Sequence, residues 1–476
     1  MAKIAIIGAG FAGHTAAMYL GDALGKDHEI TVINKHEDFV FIPSLVWVGV
    51  DQMNLKKVHF PLQPVYDRFR VHFVKGSVTA INPDGQYIDA DLPDGSHLRT
   101  DYDYLVIAPG PHLNFAGTPG LGPEHGTTYS ICNIPHALEA RDHYLKAVAR
   151  MEKGENQRIV IGTGHPLSAC QGAAFEYITN IHHDLRRRNL RDRADLVWLS
   201  NEPELGDFGV RGVKTIFKKR VVSGADFIGA IFRENGIRWE IQKGVTGVEP
   251  GVIHWENYDG HTGDTPYDFA MLIPQFTGVH FNFVGDNGAD RSEALTLPNR
   301  FIRVDGIYGL DYPTLAANPD AWPSAYQNPT YTNIFAPGIA FAPPGPISRP
   351  HTTPSGLSIT AMPPRTGMVS GIMGRLVAKN IIDLIRKGHI THHERMSEMA
   401  AACIASMGNS MFDGSAATIM LYPVVPDPRR YPNEEGRDLF VTHMEAGLAG
   451  AWMKRLIHTT FMYKFHGYPG WRVIPE

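Results

Sequence analysis

Lys3-Ile4-Ala5-Ile6-Ile7-Gly8-Ala9-Gly10-Phe11-Ala12-Gly13 opens this chain, and the apolar segment 14–20 follows it. The run 3–7 is typical of a buried parallel strand, and the segment 14–20 is typical of a helix. Gly8 permits the tight turn between them, Gly10 lets the backbone approach a pyrophosphate, and Gly13 lets helix and strand pack closely. The stretch therefore predicts the first strand, turn and helix of a dinucleotide-binding α/β fold.

Two later segments extend this prediction. Residues 30–33 form a second predicted strand, followed by Asn34 and Lys35 at the distance where such folds contact the ribose. Asn34 replaces the usual acidic residue, but its amide can still hydrogen-bond a hydroxyl. A further predicted strand, 104–108, ends in Ala108-Pro109-Gly110. Flavoproteins with two dinucleotide folds have such a turn where the chain leaves the FAD domain, so the predicted cofactor is FAD.

A second predicted strand is followed by a glycine turn that lacks part of the dinucleotide-binding motif. The predicted strand 158–161 continues into Gly162-Thr163-Gly164, but Leu167 occupies the place of the third glycine. A bulkier turn binds a pyrophosphate poorly, so NAD(P)H is not the expected electron donor. Cys170 follows near the start of a predicted helix, 172–188, where the helix dipole favours a thiolate.

Composition excludes several other classes. The chain has 476 residues, of which 43% are hydrophobic and 20% charged, with a net charge of -5. These values are typical of two or three folded domains and give no reason to expect nucleic acid binding. Its three cysteines show no metal-binding spacing, so no metal site is expected. We also expect no signal peptide, because Met1 runs directly into a strand, and no membrane-spanning helix.

Motifs along nearly the whole chain resemble the sulfide:quinone oxidoreductase family. The residues that carry the resemblance are Phe39-Val40-Phe41-Ile42-Pro43-Ser44, Tyr129-Ser130-Ile131-Cys132, Ser168-Ala169-Cys170-Gln171-Gly172, Glu202-Pro203-Glu204-Leu205-Gly206-Asp207-Phe208-Gly209, Pro364-Arg365-Thr366-Gly367 and Ala402-Cys403-Ile404-Ala405-Ser406. All three cysteines fall within matching segments.

The resemblance implies a chemistry for these segments. Cys170 and Cys403 would be a redox-active pair that captures hydrogen sulfide as sulfane sulfur or polysulfide, and Cys403 would pass two electrons to FAD through a flavin adduct. Cys132 matches a third cysteine near the flavin edge, which is bonded to FAD in some members. Further FAD contacts would come from Gly338, Ile339 in place of the usual Asp, Arg365, Thr366 and Gly367.

Three polar residues are candidates for proton transfer. Glu176 follows Cys170 on the predicted helix and would take a proton from hydrogen sulfide, although a solvated helix position is equally compatible with the sequence. His136 would be a base or relay near neutral pH. Asp207 stands where the family often has a histidine, so either Asp207 moves the proton or the relay is built differently.

The segment 443–466 predicts one amphipathic helix. Its apolar arc contains Trp452, Leu456 and Phe461, while Lys454 and His458 lie on the polar side, and Lys464 is expected to snorkel. Such a helix suits the bilayer interface, although packing on the protein core is the alternative. The resemblance favours the bilayer interface over the protein core, because the electron acceptor of that family is a lipid-soluble quinone. The predicted quinone-lining residues are Phe41, Ile404 and Phe461.

These observations predict four segments: an FAD domain in two parts, 1–155 and 301–395, a second Rossmann-like domain, 156–300, and a membrane and quinone region, 396–476. Residues 306–335 form an insertion without a predicted function. The protein would be a peripheral, monotopic membrane enzyme and a dimer or trimer. Alternatives are the flavin subunit of a flavocytochrome c sulfide dehydrogenase, a single-component NADH:quinone oxidoreductase, or a redox-sensing module that is no enzyme.

Overall fold

The computed structural model describes residues 1–364, 366–432 and 435–476. Along the first part of the chain the elements are β1 (Lys3–Ile7), α1 (Phe11–Leu24), β2 (Glu29–Asn34), β3 (Asp38–Val40), α2 (Leu45–Val48), β4 (His59–Pro61), α3 (Gln63–Phe69), β5 (His72–Lys75), β6 (Ser77–Asn82), β7 (Tyr87–Asp91), β8 (His97–Asp101), β9 (Tyr104–Ile107), β10 (His112–Asn114) and α4 (Ile134–Glu152).

The middle part begins with the second predicted Rossmann strand. Its elements are β11 (Gln157–Thr163), α5 (Gln171–Arg187), β12 (Ala194–Leu199), β13 (Lys214–Phe217), β14 (Arg220–Ser223), α6 (Gly224–Glu234), β15 (Arg238–Glu240), β16 (Lys243–Glu249), β17 (Val252–Asn257), β18 (Thr262–Pro266), β19 (Phe269–Ile273), β20 (Gln275–Thr277), β21 (Asn282–Phe283) and α7 (Ser292–Leu295).

The last part returns to the first sheet before it forms a separate small one. Its elements are α8 (Tyr312–Ala317), β22 (Ile334–Phe335), β23 (His351–Thr352), β24 (Ser358–Ile359), α9 (Gly367–Lys387), β25 (Ala401–Met407), β26 (Ser415–Leu421), β27 (His443–Gly447) and α10 (Leu448–Phe465).

The first parallel sheet has the strand order β22-β9-β1-β2-β5. Strand β1, in the middle of this sheet, is buried from Ile4 to Ile7, which is why these four residues are all apolar. Helices α1 and α9 pack on each other at this sheet, and an added Cβ on Gly374 would lie 2.3 Å from the Ala12 carbonyl oxygen. Strand β22, from within the predicted insertion 306–335, completes the sheet. The predicted α/β fold is confirmed.

The second parallel sheet has the order β15-β12-β11-β19. Helix α5 follows β11 and packs on it, as the sequence predicts for a Rossmann-like unit. Beyond it, β25, β26 and β27 form an antiparallel sheet. Apolar residues of this small sheet, including Ala405, Ile419 and Met444, join the same core as the second parallel sheet. The C-terminal region therefore lies directly against α5.

The predicted helix 443–466 is wrong at its beginning. Residues His443–Gly447 form strand β27, whose backbone pairs with β26, and the helix begins at Leu448. Lys464 also differs from the prediction, because its side chain is buried and its ammonium lies 2.8 Å from the Glu476 carboxylate instead of reaching solvent. Among the described residues, none of the helices has both the length and the apolar character needed to cross a bilayer.

Candidate active site

The glycine turn between β1 and α1 has the geometry of a dinucleotide cradle. Gly8 has φ +91°, and an added Cβ would lie 2.3 Å from the Ala108 carbonyl oxygen. A Cβ on Gly13 would lie 2.0 Å from the Gly8 carbonyl oxygen, so these two positions need glycine for packing. By contrast, a Cβ on Gly10 would meet none of the described residues within 4 Å. Gly10 therefore faces open space, as backbone approach to a pyrophosphate requires.

Residues from the far end of the chain border the same turn. Gly338 has φ +74°, and its added Cβ would lie 2.8 Å from the Ala12 side chain, while that of Gly367 would meet the Phe11 ring at the same distance. Thr366 is the N-cap of α9, and its buried hydroxyl has no hydrogen-bond partner among the described residues. An unsatisfied hydroxyl at the N-terminus of a long helix suits a polar ligand. These residues fit FAD; the predicted contact Arg365 lies outside the described residues.

Two of the other predicted cofactor positions have defined surroundings. Asn34 accepts a hydrogen bond from the Ala9 backbone N–H at 3.0 Å and donates one to the His36 carbonyl at 2.6 Å. It thus holds the glycine turn against β2, and its contact with a ribose stays a prediction. Ile339 lines a cavity together with Gly338 and Thr366, where its apolar side chain offers no hydrogen bond.

The three cysteines converge on one apolar cluster. Cys132 precedes α4, Cys170 is the N-cap of α5, and Cys403 lies on β25, yet all three pack against the core around Trp47, Phe175 and Ile419. An added Cβ on Gly172 would lie 3.2 Å from the Cys403 sulfur, which places that sulfur against the first turn of α5. The fold therefore brings together residues that are far apart in sequence.

The environment of Cys132 and Cys403 disfavours charge on their sulfurs. Burial raises the pKa of Cys132 to about 12, and the hydrogen bond from Ser130 lowers it only in part. Burial also raises the pKa of Cys403 to about 11; Glu176 raises it further, whereas Lys454 lowers it. Cys170 adopts φ +63°, a left-handed conformation that costs a non-glycine residue roughly 1–2 kcal/mol. Such local strain is typical of functional positions.

Glu176 belongs to a buried ion pair beside Cys403. One carboxylate oxygen accepts hydrogen bonds from the Ser406 N–H at 3.1 Å and the Ser406 hydroxyl at 2.5 Å. The other accepts one from the Lys454 ammonium at 2.9 Å, and both charged side chains are more than nine-tenths buried. The solvated position considered from the sequence is therefore wrong. Both carboxylate oxygens of Glu176 are engaged in hydrogen bonds. The role of Glu176 as the base for hydrogen sulfide stays a prediction.

Lys454 and His458 show that the polar side of α10 faces inward. His458 Nδ1 lies 2.9 Å from the Ser44 hydroxyl, and its ring meets Phe41 edge-on at 5.4 Å. The Phe461 ring lies 6.2 Å from that of Phe41, so two predicted quinone-lining residues are neighbours. Ile404 is buried on β25 next to Cys403. Lys454 and His458 thus share the polar side of α10, as the sequence predicts, and that side faces the protein because their partners Glu176 and Ser44 lie there.

The outer side of α10 is apolar. Leu456 is 62% exposed, and Trp452 and Met453 are exposed beside it. The Trp452 indole donates a hydrogen bond to the Met411 carbonyl at 2.8 Å, and Phe412 in the same loop is 93% exposed. Together these side chains form an apolar surface next to the β25–β26 turn.

Comparison with known proteins agrees with this geometry. Residues 2–175 match the pyridine nucleotide-disulphide oxidoreductase family model. The chain is 30% identical to the sulfide-quinone reductase of Aquifex aeolicus over 92% of this chain and 87% of that protein. The chain belongs to the sulfide-quinone reductase family.

Solved structures support the same relationship. The crystal structure of the sulfide:quinone oxidoreductase from Aquifex aeolicus matches with a TM-score of 0.78 and 26% identity, covering 98% of this chain and 92% of that one. A type II NADH:quinone oxidoreductase of Staphylococcus aureus is 28% identical, but over only 34% of this chain and 40% of that protein. NDH2 from Plasmodium falciparum shares the fold at 11% identity, with a TM-score of 0.64 over 99% of this chain and 97% of that one.

In this chain, the segment 358–362 covers the carboxyl end of the second parallel sheet, where a nucleotide would lie in a Rossmann-like fold. The Thr360 N–H donates to the Pro166 carbonyl at 2.9 Å, and the Met362 N–H donates to the Ser168 carbonyl at 3.1 Å. The Asn201 amide donates to the Thr360 carbonyl at 3.0 Å. The segment 358–362 therefore runs along the turn that follows β11, at the carboxyl end of the parallel strands.

The remaining proton-transfer candidates lie in different places. His136 is on α4, where its ring lies 5.6 Å from that of Phe115 and burial lowers its pKa. Asp207 is buried and hydrogen-bonds to the Ser348 hydroxyl, and burial raises its pKa to about 6. Glu202, fully buried in the same loop, has its pKa raised to about 7 by burial. Sequence patterns missed Glu202, although its place in the family motif pointed to this loop.

Proposed function

We propose that this protein oxidises hydrogen sulfide at Cys170 and Cys403 and reduces a membrane quinone, with FAD between the two substrates. The convergence of the cysteines on the first turn of α5 is the observation that carries the proposal. Bound FAD would supply a two-electron acceptor between the sulfur side and the quinone side. The glycine turn at Gly8 and Gly10 and the N-terminus of α9 at Thr366 would hold it.

The sulfur–sulfur bond exchange takes place between these two cysteines. In the oxidised enzyme Cys170 and Cys403 form a disulfide, and hydrosulfide attacks the Cys170 sulfur. A new sulfur–sulfur bond forms at Cys170 as the bond to Cys403 breaks, and Cys403 leaves as a thiolate carrying the electron pair. A new bond between the Cys403 sulfur and the terminal sulfur on Cys170 would then release one proton and two electrons, leaving the added sulfur at the sulfane level, and bound FAD would supply the acceptor for those two electrons.

The ion pair beside Cys403 suits the formation of this thiolate. Burial makes the charged form of Cys403 costly, and the Lys454 charge is the nearby contribution that lowers its pKa. Glu176, which accepts a hydrogen bond from the Ser406 hydroxyl, holds the Lys454 ammonium in place. The pair thereby keeps a cation in a buried site without leaving a net charge there.

The quinone would bind near the residues of α10 that face the protein. Phe41 and Phe461 would offer it apolar ring contacts, and His458 would add a polar ring whose pKa burial lowers. On the outer side of α10, the exposed Trp452, Met453 and Leu456 suit a helix that lies in the bilayer interface. This surface supports a peripheral, monotopic attachment through α10. We propose a dimer or trimer as its assembly.

One experiment separates this proposal from its alternatives. The purified flavoprotein is mixed anaerobically with sulfide or with NADH, flavin absorbance is followed, and a short-chain quinone is then added. We expect sulfide to bleach the flavin, NADH to leave it oxidised, and the quinone to restore it. Bleaching by NADH alone would favour the NADH:quinone oxidoreductase alternative. The segment 358–362, which covers the carboxyl end of the second sheet, argues against that alternative.

Cysteine variants refine the test. Cys403→Ser and Cys170→Ser should each lower the sulfide bleaching rate at least a thousand-fold, because each removes half of the disulfide. Cys132→Ser, a neighbouring thiol change of the same size, tests separately whether the third cysteine takes part in bleaching. If Cys403→Ser turned over at the wild-type rate, the proposed sulfur chemistry would be refuted. Reoxidation by a c-type cytochrome in place of quinone would support the flavocytochrome subunit instead.

A further inference from the structure

The β13–β14 hairpin has an unusual turn. Its two strands pair Ile216 with Val221 and Phe217 with Arg220, so Lys218 and Lys219 alone form the turn. Both lysines have positive φ, 48° and 66°. Two-residue hairpin turns with positive φ at both positions normally use Asn and Gly, which tolerate that conformation. This chain instead keeps two cations there in spite of the backbone strain.

The hairpin also exposes apolar side chains. Every residue from 216 to 221 is exposed, and Phe217 and Val221 are 55% and 59% accessible. The two strands form a sheet of their own. Because a two-stranded hairpin is marginally stable in water, exposed apolar residues on it need a reason outside its own packing. The Lys218 ammonium lies 5.3 Å from the Phe217 ring, so charge and apolar surface are adjacent.

A second loop adds to this surface. The Thr215 hydroxyl donates a hydrogen bond to the Thr442 carbonyl at 2.7 Å, which fastens the base of the hairpin beside residues 440–441. Phe440 is 82% exposed, and the Asp438 carboxylate fixes this turn by accepting hydrogen bonds from the Phe440 and Val441 N–H groups. We call residues 216–221 and 440–441 the hairpin surface.

We propose that the hairpin surface binds the anionic headgroup region of a lipid bilayer. Three consecutive cations, Lys218, Lys219 and Arg220, complement the negative charge of such a surface, and exposed Phe217 and Phe440 suit its interfacial depth. Among the acidic groups that the structure describes in the adjoining loop, Asp438 holds its own turn, and Glu435 is paired with Lys214. The net charge at the tip therefore stays positive. This contact is separate from the one proposed for α10. It rests on the proposed function in one respect, namely that the enzyme works at a bilayer.

Vesicle sedimentation tests the proposal without turnover. The full flavoprotein is mixed with phosphatidylcholine vesicles, with or without 30% phosphatidylglycerol, in the absence of sulfide and quinone. K218Q/K219Q/R220Q is compared with K146Q/R150Q/K153Q, which removes the same charge from exposed positions in and just after α4. Each cation near an anionic surface contributes roughly a five-fold factor in partitioning, so we expect a loss on the order of a hundred-fold for the hairpin variant.

The outcomes are distinct. Binding of wild type to anionic vesicles should fall with salt, and binding to neutral vesicles should be the same for wild type and the hairpin variant. F217S/F440S should weaken binding to both vesicle types, whereas I307S, at an exposed apolar position elsewhere, should not. Equal anionic binding by the two charge variants would overturn the proposal. So would a hairpin-dependent change of oligomeric state by light scattering, since the occupant would then be a second copy. Sulfide bleaching of these variants reports on the proposed function separately.

Discussion

Replacing Lys454 by Met removes a buried charge while keeping the length of the side chain. Glu176 then stays buried with its two hydrogen bonds from Ser406 but without a cation. Removing one partner of a buried ion pair costs about 3–5 kcal/mol. Because the bonds from Ser406 persist, we expect the lower end of that range, about 3 kcal/mol, for the loss in free energy of unfolding.

The double variant Glu176→Gln/Lys454→Met should be less destabilised than Lys454→Met. Replacing a buried pair by neutral side chains of similar volume is often close to neutral in free energy. The introduced glutamine would still accept a hydrogen bond from Ser406 and leave no buried charge. Urea unfolding followed by circular dichroism measures both variants, with Lys56→Met as control because Lys56 is exposed. The control should lie within about 0.5 kcal/mol of wild type.

The same variants should move the reactivity of Cys403 in opposite directions. Lys454 lowers the pKa of the Cys403 thiol and Glu176 raises it. In a Cys132→Ser/Cys170→Ser background, the pH profile of Cys403 alkylation should therefore shift up for Lys454→Met and down for Glu176→Gln. A purely structural role of the pair would move stability without moving this profile. Shifts of equal sign, or none, would refute the assigned electrostatics.

Three further predictions concern other sites. Because burial raises the pKa of Glu202 to about 7 from an unfolded value near 4.5, its stabilising contribution is complete below pH 4.5 and is lost as pH rises through 7. Glu202→Gln should therefore reduce the drop in thermal midpoint between pH 5 and pH 8; an unchanged drop would contradict this. Gly13→Ala should lower the free energy of unfolding, measured in urea, by about 3 kcal/mol, because its Cβ would meet a carbonyl oxygen at 2.0 Å. By contrast, Gly10→Val should keep the fold and lose bound flavin, measured as flavin absorbance per protein. Leu456→Ser, which removes an exposed apolar side chain from α10, should weaken binding to neutral vesicles several-fold, and unchanged sedimentation would count against a bilayer contact there.

Much of the fold follows from local sequence. The run 3–7 and the glycines at 8, 10 and 13 determine a strand, turn and helix, because steric limits on a tight turn act within a few residues. Leu167, in place of the third glycine, likewise distinguishes the second glycine turn from the first. The cysteines were placed by the resemblance of their surrounding motifs. Their convergence became visible only in the tertiary structure, since no periodicity connects Cys170 with Cys403.

The C-terminal helix shows where sequence alone was insufficient. The spacing along residues 448–465 correctly predicts a helix with an apolar arc and a polar side. It does not tell which side faces the protein, because either side can be buried if it finds partners there. The partner of Lys454 is Glu176, 278 residues away on α5, and a carboxylate at that distance leaves no local pattern. The sequence thus determined the nucleotide cradle through local sterics, whereas the orientation of α10, the ion pair beside Cys403 and the exposed apolar surface were decided by packing between distant segments.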